Sequence, residues 1–162
     1  MASRTLGKVF FSHVHEDADC AEKITTWLQY NLNHGIECFS ASDAGILRPG
    51  TMWAEEIKKA LQDADLLIVL VSPNSLQREW IYFEAGCGFV RDIPVIPVCC
   101  GGITKADLTP PLSLLQALNL PEESIKLIRA VANVSGMTAV RRPTKLLLPA
   151  LTNSKFIWKP HP

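Results

Sequence analysis

The chain has 162 residues, enough for one domain with a sizeable core and too few for two ordinary ones. Hydrophobic residues make up 48% and charged residues 20%, with 16 basic against 16 acidic side chains, which argues for a packed globular unit and gives no sign of a nucleic-acid or membrane surface. No apolar run approaches the roughly 18 residues of a membrane span, and the opening MASRTLGKVFFSH lacks a secretory core, so a cytoplasmic protein is expected.

Residues Lys8 to Ser12 (KVFFS) read as a first strand. Asp19-Cys20-Ala21-Glu22 has the spacing of a capping box for a helix whose apolar stripe is Ala21, Ile24, Trp27, Leu28 and Leu32, with Gly35 placed to close it. Ile36 to Ser40 (IECFS) is a short second strand, followed by a loop at 41–50 (ASDAGILRPG). Thr51 is a suitable cap for a second helix, with Glu55 and Glu56 in its first turn and Trp53, Ile57, Ala60, Leu61 and Ala64 as its buried stripe.

Leu66 to Val71 (LLIVLV) is six consecutive apolar residues ending in Ser72-Pro73-Asn74, the pattern of a central parallel strand buried on both faces. A third helix carries Trp80 and Glu84. Ile93 to Cys99 (IPVIPVC) is a further strand, which its two prolines direct to an edge or an irregular position. Pro121-Glu122-Glu123 opens a late helix with Ile125, Ile128, Val131 and Ala132 on one side and Gly136 as its stop. Alternating strands and helices give an α/β class: a flavodoxin-like three-layer sandwich with a mainly parallel central sheet of four to five strands.

From Thr138 onward periodicity is lost, although Leu146 to Leu148 and Phe156-Ile157-Trp158 are apolar. We therefore expect a domain at 1–137 and an extension at 138–162, a linker toward a sensor domain. Five cysteines (Cys20, Cys38, Cys87, Cys99, Cys100) without a C-x-x-C pair fit reduced thiols better than a disulfide framework or zinc site. His13-x-His15 lacks a third ligand nearby, so no metal is expected.

In a doubly wound sheet the ligand crevice lies outside the carboxyl ends of the strands, which selects Ser12-His13, the span 43–48 and the span 72–74. No G-x-G-x-x-G follows the first strand, and no P-loop motif occurs. The third strand ends in Ser-Pro-Asn, where a phosphoacceptor would need an acid. Glu84 follows Trp80 by four residues, so on a helix the two share a face one turn apart. Pattern alone leaves two readings, a half-exposed Glu beside a core Trp or a pocket with one flat apolar wall and one negative charge. Flanking Ile81, Phe83, Ala85, Gly86 and Gly88 place that charge near buried surface, where it is costly unless paired or used.

KVFFSHVHED, the loop and helix SASDAGILRPGTMWAEEIKKAL, the run DADLLIVLVSPNSLQREW and the W-x-x-x-E of Trp80 and Glu84 together resemble TIR (Toll and interleukin receptor type) domains in their prokaryotic branch, over about residues 6–135. The resemblance implies an NAD+ hydrolase or cyclase that splits the nicotinamide glycosidic bond, releasing nicotinamide and ADP-ribose or a cyclic ADP-ribose species, with NAD+ as substrate and no cofactor. Glu84 would be its catalytic carboxylate and Trp80 would pack at the nicotinamide ribose, simple core packing being the alternative. Ser12 and His13 would line the nucleotide site, His13 stacking on a base or meeting phosphate. Asp43 and Arg48 lie in the loop that gates the pocket and touches a neighbouring protomer, Arg48 meeting pyrophosphate or solvent. His13, Val14 and His15 depart from the aromatic and basic residues usual there. The resemblance further implies a role in bacterial anti-phage defence, switched on by head-to-tail self-association. A non-catalytic adaptor working through TIR–TIR contacts and a nucleoside deoxyribosyltransferase are the rival classes.

Overall fold

The computed structural model describes residues 7–40, 53–137 and 142–144. Strand β1 (Gly7–Ser12) leads through a 3-10 turn at His15–Asp17 into helix α1 (Ala18–Asn31), then β2 (Ile36–Ser40), α2 (Trp53–Asp63), β3 (Leu66–Val71), α3 (Glu79–Val90), β4 (Val95–Cys99), β5 (Leu118–Asn119) and α4 (Ser124–Ser135). The strands form one sheet in the order β2-β1-β3-β4-β5, and every pairing is parallel. This is the flavodoxin-like order, whose direction of winding reverses between β1 and β3, so a crevice opens there at the carboxyl ends.

The sheet separates two apolar layers. Ile24, Leu28 and Leu32 around α1 pack with Leu127, Ile128 and Val131 of α4 against one face, onto Val9, Phe11, Ile68 and Leu70. On the other face Leu61 at the end of α2 and Ile81 and Ala85 of α3 cover Phe10, Leu67, Val69 and Val71. The run LLIVLV reads without alternation because both faces are covered: all six residues of β3 are fully buried.

Two local expectations are revised. β4 is not an edge strand; it pairs with β3 from Val95 to Cys99 and with β5 at Val98 and Cys99. The Pro94 carbonyl accepts from Leu67 and the Cys100 N–H donates to Val71, so even-numbered residues face β3, while the Cys99 carbonyl accepts from Leu120 on the other side. Pro97 therefore points its missing N–H toward β5, whose pairing starts only at Val98. α1 is closed not by Gly35 but by Asn33 and His34, both left-handed at φ 52° and 55°. Gly35 serves space instead, since a Cβ there would run into the Met137 side chain. Gly136 ends α4 as read, in the left-handed region at φ 65°.

Part of the extension is fastened to the domain. Trp27 Nε1 donates to the Thr144 carbonyl at 2.8 Å and the Thr144 N–H donates to Asn31 Oδ1 at 2.9 Å. None of the described helices is long and apolar enough to cross a membrane.

Candidate functional site

α3 follows the carboxyl end of β3 and runs back across the sheet, so its first half lies at the crevice. Its residues are apolar on nearly every side, and the inward stripe is set by packing: Ile81, Glu84, Ala85 and Gly88 are all buried, whereas Phe83, Phe89 and Val90 are exposed. Gly88 allows the close approach. A Cβ there would stand 2.7 Å from Val95 Cγ2 and 2.8 Å from Leu67 Cδ2. Glu84, one turn earlier on the same stripe, is consequently driven into the domain at the strand ends, and none of its surface is exposed.

There it meets the last residue of β1. The Ser12 hydroxyl donates to Glu84 Oε2, joining positions 72 residues apart, and Ser12 is equally buried. A buried carboxylate needs such donors, since its charge is otherwise costly away from water. Its field reaches Cys87, whose thiol is pushed up first by burial and then by the Glu84 charge.

His13, next along the chain, is also largely buried. Its Nδ1 lies 2.8 Å from the Val14 carbonyl, and because a carbonyl only accepts, that nitrogen carries a proton. His13 lines a cavity of about 380 Å³ with Phe11, Ala21, Glu22, Phe39 and Ser40, at the carboxyl ends of β1 and β2. Ser12 and Glu84 are thus brought together, while His13, next in the chain, lines a separate cavity on the α1 side of the sheet that neither of them lines. Trp80 belongs to α3 one turn before Glu84, its side chain outside what is described; Asp43 and Arg48 lie outside the described residues.

One participant escaped the sequence reading. Asp17, almost fully buried, accepts from Ser72 Oγ and from Asn74 Nδ2, the latter at 2.8 Å, while Ser72 Oγ also accepts the Asn74 N–H at 3.0 Å. Ser75 adds bonds to the Ser72 N–H and to the Leu70 carbonyl. The span 72–74, expected in the crevice, is thereby its frame, pinned to the turn before α1. Asp17 occupies the N-cap position of α1, yet its side chain makes no capping bond because it is engaged with that loop. The capping box expected from Asp19 is absent, the helix having begun at Ala18.

Fold and site define a flavodoxin-like α/β domain with a buried carboxylate at its topological switch point. Residues 9–130 match the TIR domain family, and the chain belongs to that family. It is 25% identical over 146 residues to the stimulator of interferon genes protein of Magallana gigas, covering 75% of this chain and 34% of that protein. Among solved structures it is similar to a metazoan TIR-STING receptor from C. gigas in complex with 2′,3′-cGAMP, with a TM-score of 0.60 and 24% identity over 81% of this chain and 41% of that one. It is also similar to the TIR domain of the Toll-related receptor TRR-2 from Hydra magnipapillata (TM-score 0.60, 18% identity, 77% of this chain and 98% of that one). A Bacillus psychrosaccharolyticus 2-deoxyribosyltransferase shares the fold with a TM-score of 0.58 at 14% identity, over 83% of this chain and 99% of that one. The chain therefore spans less than half the length of the Magallana gigas and C. gigas proteins it matches.

Proposed function

We propose that this TIR domain is an NAD+ glycohydrolase with Glu84 as its catalytic residue. The observation that carries the reading is the Glu84 carboxylate itself, placed by α3 at the carboxyl end of the sheet and held by a buried hydroxyl from β1. Splitting an ordinary glycoside requires a general acid as well as a second carboxylate. The nicotinamide of NAD+ is already a pyridinium cation, so when its C1′–N bond breaks the electron pair returns to the ring nitrogen and the group departs neutral. One carboxylate suffices: it holds the ribose hydroxyls and offsets the oxocarbenium charge that grows as the bond stretches. Water adding at C1′ and losing a proton gives ADP-ribose; attack from within the ADP-ribose gives a cyclic species.

His13, at the cavity by the carboxyl ends of β1 and β2, would bind the nucleotide, stacking on the base or donating to phosphate. Trp80 would wall the nicotinamide ribose, and Asp43 and Arg48 would act from the gating loop. Because Glu84 is fully buried in the single chain, the ribose reaches it only when the crevice opens. Self-association through head-to-tail TIR–TIR contacts is the opening step we propose, with activity that rises steeply with concentration. The setting proposed is cytoplasmic signalling in anti-phage defence, under a sensor on the same or another chain.

The same burial favours a second reading. A carboxylate closed off from water and paired inside the core also suits a non-catalytic adaptor that works through TIR–TIR contacts alone.

Nicotinamide release from NAD+, followed over a wide protein concentration range with a crowding agent and beside Glu84→Gln, separates the two. The enzyme reading expects release that climbs with concentration and falls at least about 100-fold in Glu84→Gln. Equal release by the variant removes Glu84 from the chemistry. No release at any concentration, with self-association intact, leaves the adaptor.

A further inference from the structure

We propose that Ser12 is a positioning residue: its hydroxyl fixes the Glu84 carboxylate and does not itself contact substrate. The inference rests on the reading of Glu84 as the catalytic group, and it reassigns a side chain that the family resemblance placed in the lining of the nucleotide site.

Engagement is the first ground. The Ser12 hydroxyl has one proton to donate and gives it to Glu84 Oε2, with both side chains fully buried. Rigidity is the second. Ser12 is in register with Val69 of β3, and Phe11 just before it is in register with Ser40 of β2, so the hydroxyl is presented from a residue held in the interior of the sheet. Glu84 is presented from the opposite partner, the helix that Gly88 lets settle onto Leu67 and Val95. The Ser12–Glu84 bond is thus a brace between sheet and helix at the one point where the carboxylate must be aimed.

Chemistry is the third ground. A hydroxyl donating to a carboxylate oxygen favours the ionised form, while burial opposes it. A catalytic carboxylate of this kind must be both charged and oriented before the ribose arrives, because reorganisation during bond cleavage adds to the barrier. Serine is the shortest side chain that supplies the donor from a strand. Among the described residues, Cys87, three residues beyond Glu84 on α3, feels the Glu84 charge, and His13 follows Ser12 along the chain.

Two measurements on the same proteins test this. The first needs no turnover: a carboxyl carbon-13 titration of the glutamates, with the Glu84 resonance identified by its loss in Glu84→Gln. Ser12→Ala should raise the Glu84 midpoint by about one pH unit, tenfold in its protonation equilibrium, and Ser12→Thr should restore it. The second is steady-state NAD+ cleavage. Ser12→Ala should lower kcat roughly 10- to 100-fold at neutral pH through lost aim of the carboxylate, with KM changed less than about threefold, and Ser12→Thr should recover most of the loss. Ser12→Cys, near serine in size and a weaker donor, gives an intermediate shift and replaces alanine should that variant not fold, as judged by its melting curve.

An unmoved Glu84 midpoint in Ser12→Ala overturns the proposal. So does a rise in KM at constant kcat, which would make Ser12 a substrate contact, or a gain in activity, which would make it a latch. Absence of cleavage by the unaltered protein defeats the enzyme reading alone, and the titration still decides whether Ser12 governs Glu84.

Discussion

Asn74 Nδ2 donates to Asp17 Oδ1 at 2.8 Å, fastening the loop after β3 to the turn before α1 across the mouth of the β1/β3 switch point. Ser72 Oγ donates to the other oxygen of the same carboxylate. Two hydrogen bonds therefore join the loop after β3 to the turn before α1. Asp17→Ala strands two donors, one of them fully inside the domain, and should cost about 1–3 kcal/mol. Melting should fall by roughly 3–10 °C for a domain of this size. Hydrogen exchange at residues 72–75 is the more specific readout. Loss of protection spread evenly over the sheet, with those amides no worse than the rest, would contradict a local clamp.

Gly86 and Gly88 stand two residues apart on α3 and predict substitutions of opposite sign. A Cβ at Gly88 would meet Val95 Cγ2 and Leu67 Cδ2 inside van der Waals contact, so Gly88→Ala must push the helix off the sheet or displace both side chains. Overpacking of that kind costs typically about 1–3 kcal/mol. It should also lift Glu84 away from Ser12, one turn along the same stripe. A Cβ at Gly86 has no atom within 4 Å, and Gly86→Ala should stabilise through helix propensity by roughly 0.5–1 kcal/mol. Thermal denaturation of the two variants checks the pair directly, and equal shifts in one direction would refute the packing account.

How much of this was legible in the sequence differs from residue to residue. Leu66 to Val71 announced a strand covered on both faces because six apolar residues without alternation have few other uses. The helical stripe of α1 was equally plain, and Glu84 stood out as an acid on an apolar helix. What could not be read depended on partners far along the chain. Ser12 and Glu84 are 72 residues apart, Ser72 and Asp17 are 55 apart, and no local spacing announces either bond. The same holds for β5, a two-residue strand that exists only because the edge of β4 beyond Pro97 offers it a partner. Even Pro97 misled for a topological reason: proline excludes a residue from a ladder on one side only, and which side is decided by register.

β5 also shows where the domain is sensitive to acid. The Glu123 carboxylate accepts from Lys105 Nζ at 2.6 Å, from Lys126 Nζ at 2.7 Å and from the Asn119 N–H at 2.8 Å, tying the short strand to α4 and to the turn at Lys105–Asp107. The Lys105 bond first, then the Lys126 bond and the Asn119 N–H, hold its pKa down at about 2, against an ordinary 4.5. A carboxylate whose pKa is lower folded than unfolded adds stability that is complete above about pH 4.5 and is lost as pH falls toward 2. Glu123→Gln should therefore melt below the unaltered protein at pH 6 to 7, and the gap should close on descent through that window. Salt should narrow the gap at neutral pH, since both lysines are substantially exposed. A gap that stays constant from neutral pH to pH 2 would assign the effect to packing or to the Asn119 bond, and not to the charge on Glu123.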